Sequence, residues 1–185
     1  AVIYGAAAKM RPLQCLGVIG MGGVFHFASN NLAMRLLCSV TRRITTLPIV
    51  QHAHIKTKHS SSLLNRIYPL TNNIGYILPV SGWWPDTIEE ELIQERMLIG
   101  FDWLSVPIWK DMCFMAKHNQ FLYEDEWKKT DVPTLVLLGD KDHFLRREDG
   151  EPAYQLSPSN HKKLIIFDDY HHSHHWGHLD IVLGK

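Results

Sequence analysis

Neither sign of charge is in excess in this 185-residue chain: 19 lysines and arginines stand against 19 aspartates and glutamates. No net field therefore attracts nucleic acid or an acidic lipid surface, and a polyanionic partner is excluded on that ground. Cysteine is scarce as well. Cys15, Cys38 and Cys113 show neither C-x-x-C spacing nor a paired framework, which suits a reducing compartment without fixing one. Nowhere does an apolar run reach the roughly 18 residues a membrane-spanning helix needs. Internal repeats and low-complexity linkers are also missing, and no export signal is expected. The G-x-G-x-x-G dinucleotide fingerprint is lacking too. Gly17, Gly20, Gly22 and Gly23 follow an apolar run, but at the wrong spacing and with no acidic residue about twenty positions on. No cofactor and no metal site are expected.

What the chain does have is a series of apolar runs closed by turn residues. Thr134-Leu-Val-Leu-Leu-Gly139, between Pro133 and a Gly-Asp turn, reads as a strand buried on both faces of a parallel sheet. Asp140 and Asp142 follow at its C-terminal end, the rim where open α/β sheets place their chemistry. Lys163 to Phe167 is a second such run, and a histidine-rich loop comes after it. Upstream, Leu13 to Ile19 reads as a strand, followed by a glycine-rich turn and a helix over Gly22 to Leu37, with Phe25, Leu32 and Leu36 as core contacts. Ile3 to Lys9 reads as a helix end, Val40 to Val50 leans toward strand, and Lys56 to Asn73 is polar and serine-rich. A helix is expected from Asp86 to Leu98. The fold class is α/β, a mainly parallel sheet flanked by helices.

The last ten residues, Trp176-Gly-His-Leu-Asp-Ile-Val-Leu-Gly-Lys185, are the most specific stretch. With Asp142 upstream and the order acid, strand, histidine, the chain resembles the α/β-hydrolase superfamily of lipases and esterases. Within it, the ending is similar to the hydrolase-like regions joined to cholesterol-oxidase-type proteins. The resemblance implies a nucleophile–His178–Asp142 triad, with His178 as general base and Asp142 holding its tautomer. Asp140 is the alternative acid, and Asp180 is expected to cap the final helix. It also implies that residues 74–128, rich in tryptophan, phenylalanine and methionine, form a helical cap insertion suited to an apolar ester or lipid ligand.

Laid on the family's G-H-S-M-G-G, the sequence Val18-Ile-Gly-Met-Gly-Gly23 puts Gly20 at the nucleophile position, with Met21 supplying an oxyanion N–H. Cys15 and Ser29 fall outside the turn. A glycine forms no acyl-enzyme, so two alternatives follow: a non-catalytic pseudo-hydrolase that binds an apolar ligand or partner, or the hydrolase-like tail of a flavin-dependent sterol oxidoreductase whose FAD site lies outside this chain. Ala1 and Lys185 read as the ends of a fragment. His171, His172, His174 and His175 read as loop residues that bind metal only adventitiously.

Overall fold

The structure, a computed structural model, describes residues 2–9, 15–28, 30–45, 54–56, 82–99 and 103–184. Strands β1 (Val18–Met21), β4 (Thr134–Gly139) and β5 (Lys162–Phe167) form a parallel sheet in the order β1-β4-β5. Val18, Thr134 and Lys162 lie side by side in register, and Met21, Leu137 and Ile165 do so further along. Between β1 and β4 the chain passes through α2 (Leu32–Thr45), a short antiparallel pair of β2 (His54–Lys56) with β3 (Trp103–Ser105), α3 (Glu90–Ile99), α4 (Val106–His118) and α5 (Glu124–Trp127). Helix α1 (Val2–Lys9) precedes β1; α6 (Arg147–Gly150) and α7 (Pro152–Leu156) join β4 to β5, and α8 (Asp180–Leu183) follows.

Alternation along the strands divides the sheet into two unlike faces. Val18, Val136 and Leu138 are buried against Tyr4, Phe25, Phe121, Trp127 and Ala153. Aromatic rings dominate this core: Phe25 and Phe121 have centroids 4.4 Å apart, and Tyr4 meets Trp127 edge-on at 5.2 Å. The Trp127 indole N–H donates to the Ala153 carbonyl at 2.9 Å, so a polar atom fully inside the core is satisfied. On the opposite face Ile19 is 56% and Met21 45% exposed.

Tertiary bonds move the helix after β1 away from where pattern alone puts it. The amides of Phe25 and His26 both donate to the Asp149 carbonyl, and the amide of Ala28 donates to the Asp149 side chain. These bonds hold residues 23–28 in a non-helical path. The helix starts only after Asn31, whose side-chain oxygen accepts the Met34 amide as an N-cap. Leu32 and Leu36, expected in the core, are accordingly exposed, and only Phe25 is buried. Val40 to Thr45, which lean toward strand, are helical because α2 packs along α4. The Thr41 hydroxyl donates back to the Leu37 carbonyl and accepts from the Trp109 indole. Residues 46–50 and most of 56–73 lie outside the described residues.

The stretch 74–128 is not uniform in its packing. Residues 74–81 lie outside the described residues. Cys113, Met115, Ala116, Phe121 and Trp127 belong to the main core beside β1 and β4, whereas Trp83, Ile88 and Ile93 form a small separate cluster with Leu179 and Leu183.

Candidate active site

The turn after β4 and the loop after β5 meet at the C-terminal end of the sheet. Gly139 allows the contact: a Cβ there would run into the backbone carbonyls of Trp176 and Gly177. The Lys141 amide donates to the Trp176 carbonyl at 2.9 Å and fastens the two loops together. Asp142 is buried. One of its carboxylate oxygens accepts the amides of Phe144 and Leu145 at 3.0 and 2.7 Å. The other lies 2.8 Å from Nδ1 of His178, whose side chain keeps 25% exposure. Because a carboxylate only accepts, Nδ1–H is the donor and Nε2 is left bare as the basic nitrogen. The Phe144 ring packs 5.6 Å from the imidazole.

Gly22 follows β1 opposite this pair. Its amide donates to the Leu137 carbonyl at 2.9 Å, and its φ is +53°, a left-handed turn leaving the strand. A Cβ at Gly22 would sit 3.0 Å from Nδ1 and 3.1 Å from Cε1 of His178. Gly20, by contrast, lies inside β1 with its missing Cβ directed at the Tyr4 hydroxyl, which it would overlap. The glycine at the turn and beside the histidine is therefore Gly22, not Gly20. Met21 is the last residue of β1, one position before that turn.

The Gly-His-Leu-Asp segment owes its composition to the contacts around Asp180. A Cβ at Gly177 would come within 2.8 Å of the Trp83 backbone and of the Asp180 carboxylate. Asp180 is the first residue of α8 rather than its cap, a position Leu179 holds. Its buried carboxylate accepts the Gly177 amide, the Trp84 amide at 2.8 Å and the Thr87 hydroxyl at 2.5 Å. The Leu179 amide adds a bond to the Gly82 carbonyl. Burial raises the Asp180 carboxyl above the ordinary carboxylate range, although these donors pull the other way.

Asp140, the other acid considered, serves a second histidine. Its carboxylate lies 2.6 Å from Nδ1 of His175 and accepts the Trp176 amide at 2.9 Å. No family model matches the sequence, and no curated protein matches it. Solved structures do. The monoacylglycerol lipase of Paleococcus ferrophilus superposes with a TM-score of 0.51 at 15% identity, over 89% of this chain and 53% of the lipase. A membrane phospholipase A described as a bacterial virulence factor gives 0.49 at 16%, over 98% of this chain and 48% of its own. An esterase from Exiguobacterium antarcticum gives 0.46 at 14%, over 90% and 52%. The chain thus spans about half the length of the structures it resembles. The lipase superposition and the flanked parallel sheet define a partial α/β-hydrolase fold.

Proposed function

We propose that this is an α/β-hydrolase-type domain for an apolar ester or lipid, with its acid–base pair assembled and its nucleophile position vacant at Gly22. The contact between Gly22 and His178 carries the reading. A left-handed turn at the end of a strand, pointing at an imidazole held by a buried carboxylate, is where a nucleophile elbow places its reactive side chain. His178 is then the general base and Asp142 the residue that fixes its tautomer. The oxyanion donor following the nucleophile position is the Gly23 amide rather than that of Met21. Without a side-chain nucleophile, no acyl-enzyme forms, and the domain binds its ligand with little or no turnover. The apolar ligand class is taken from the monoacylglycerol lipase whose fold the chain resembles.

A fluorophosphonate probe tests this directly. The unaltered protein takes up no probe, whereas Gly22→Ser acquires an adduct at position 22 that the additional change His178→Ala removes. Labelling of the unaltered protein on any residue, or labelling of Gly20→Ser in place of Gly22→Ser, overturns the proposal.

A further inference from the structure

A second cluster sits on the same two loops as the acid–base pair and points to metal chemistry. His175 directs Nδ1 at two carboxylates at once, 2.6 Å from Asp140 and 3.5 Å from Asp169. The donor atoms of the three residues all lie within 4.8 Å of one another. Three positions on two loops thus converge on one point. Asp140 closes β4, and Asp169 and His175 stand on the loop after β5. The free oxygen of Asp140 is fixed by the Trp176 amide, which orients its partner oxygen toward His175 in the way outer hydrogen bonds orient metal ligands. The Trp84 ring stands edge-on to the imidazole at 4.7 Å and shields one side.

We propose that Asp140, Asp169 and His175 bind one zinc ion, which clips the acid-bearing loop to the histidine-bearing loop. The ligand types set zinc apart from the hard oxygen-binding cations. One imidazole nitrogen with two carboxylate oxygens suits zinc, whereas calcium and magnesium take oxygen alone. The donor atoms, within 4.8 Å of one another, must come to a common spacing. Tetrahedral zinc with bonds near 2.0–2.1 Å holds its ligand atoms roughly 3.3 Å apart. The Asp140–His175 contact must therefore open by somewhat under 1 Å as the metal replaces the Nδ1 proton. Asp140 is two residues from Asp142 and His175 three from His178, so the ion braces the acid–base pair without touching it.

The test uses the full chain stripped with chelator and titrated with zinc chloride, followed by calorimetry and by thermal denaturation. One equivalent binds and raises the melting temperature by mass action, while calcium and magnesium do neither. Asp169→Asn, at a carboxylate that is 59% exposed, and His175→Gln each weaken zinc binding by at least about tenfold. The double change His171→Gln/His172→Gln leaves it intact. The proposal is overturned by an absence of saturable binding, or by zinc binding that survives Asp169→Asn and His175→Gln but disappears with His171→Gln/His172→Gln.

Discussion

Tyr4 is fully buried, and its hydroxyl, directed at the space where Gly20 lacks a Cβ, finds no hydrogen-bond partner among the described residues. Desolvation raises its pKa to about 12. An orphaned buried hydroxyl is a cost, so Tyr4→Phe leaves stability unchanged or raises it by about 1 kcal/mol. Gly20→Ala drives a methyl into that hydroxyl and destabilises by roughly 1–3 kcal/mol. Combined with Tyr4→Phe, part of that loss returns, because the nearest atom has gone. Urea denaturation of the two single variants and the double variant measures this coupling, and strictly additive effects would refute it. The pair also shows why letters alone do not separate the two glycines. Gly20 and Gly22 are equally small, and only the strand's end, with its positive φ, tells which of them faces His178. The contact between Asp142 and His178 is legible because order along the chain and a specific motif both point to the two residues. The Asp140–His175 contact spans 35 positions with no motif to announce it.

At the scale of elements, the short stretch from Gly82 to Ile88 depends on Asp180 for its place. Two of the three donors that carboxylate accepts, the Trp84 amide and the Thr87 hydroxyl, come from this stretch and tie it to α8, beside the Leu179 amide bond to the Gly82 carbonyl. Asp180→Ala takes the acceptor from the Gly177 and Trp84 amides, while the Thr87 hydroxyl keeps the Trp84 carbonyl at 2.7 Å, and should cost more than about 2 kcal/mol. The same change should make the Trp83 and Trp84 fluorescence more open to acrylamide quenching; quenching equal to that of the unaltered protein would contradict this tie. Strands β4 and β5 are readable because an apolar run between turn residues has few other uses, and β4 spans Thr134–Gly139 as the sequence implies; the strand expected over Leu13 to Ile19 instead spans Val18–Met21. The helix after β1 was not. Its local pattern fits Gly22 to Leu37, but bonds to Asp149, more than a hundred positions away, hold its first residues out of the helix. Long-range satisfaction of backbone amides overrides propensity there.

Across the whole molecule, two carboxylates do structural duty in its interior. Burial raises the pKa of both Asp149 and Asp180 above the ordinary value, outweighing the hydrogen bonds each accepts. In the interval between the unfolded and the folded pKa, the native state holds more protons than the unfolded chain. The stability these groups contribute is therefore fully present below the unfolded carboxylate range and is lost as pH rises through the raised folded values. The destabilisation caused by Asp149→Asn should accordingly grow as pH is lowered from about 7 toward about 4.5, read as the difference in melting temperature from the unaltered protein. A difference that stays constant with pH would contradict the assignment.

Parallel sheets are ordinarily covered on both sides, yet here Ile19, Met21 and, on α2, Leu32, Leu36 and Val40 face outward. Taken alone, the 185-residue chain therefore offers hydrophobic dyes, at these described residues, a surface that most folded domains keep hidden. Bright anilinonaphthalene sulfonate emission, commonly taken as the mark of a molten globule, should accompany a sharp cooperative melt, and dye binding alone will misjudge whether a preparation of this protein is folded.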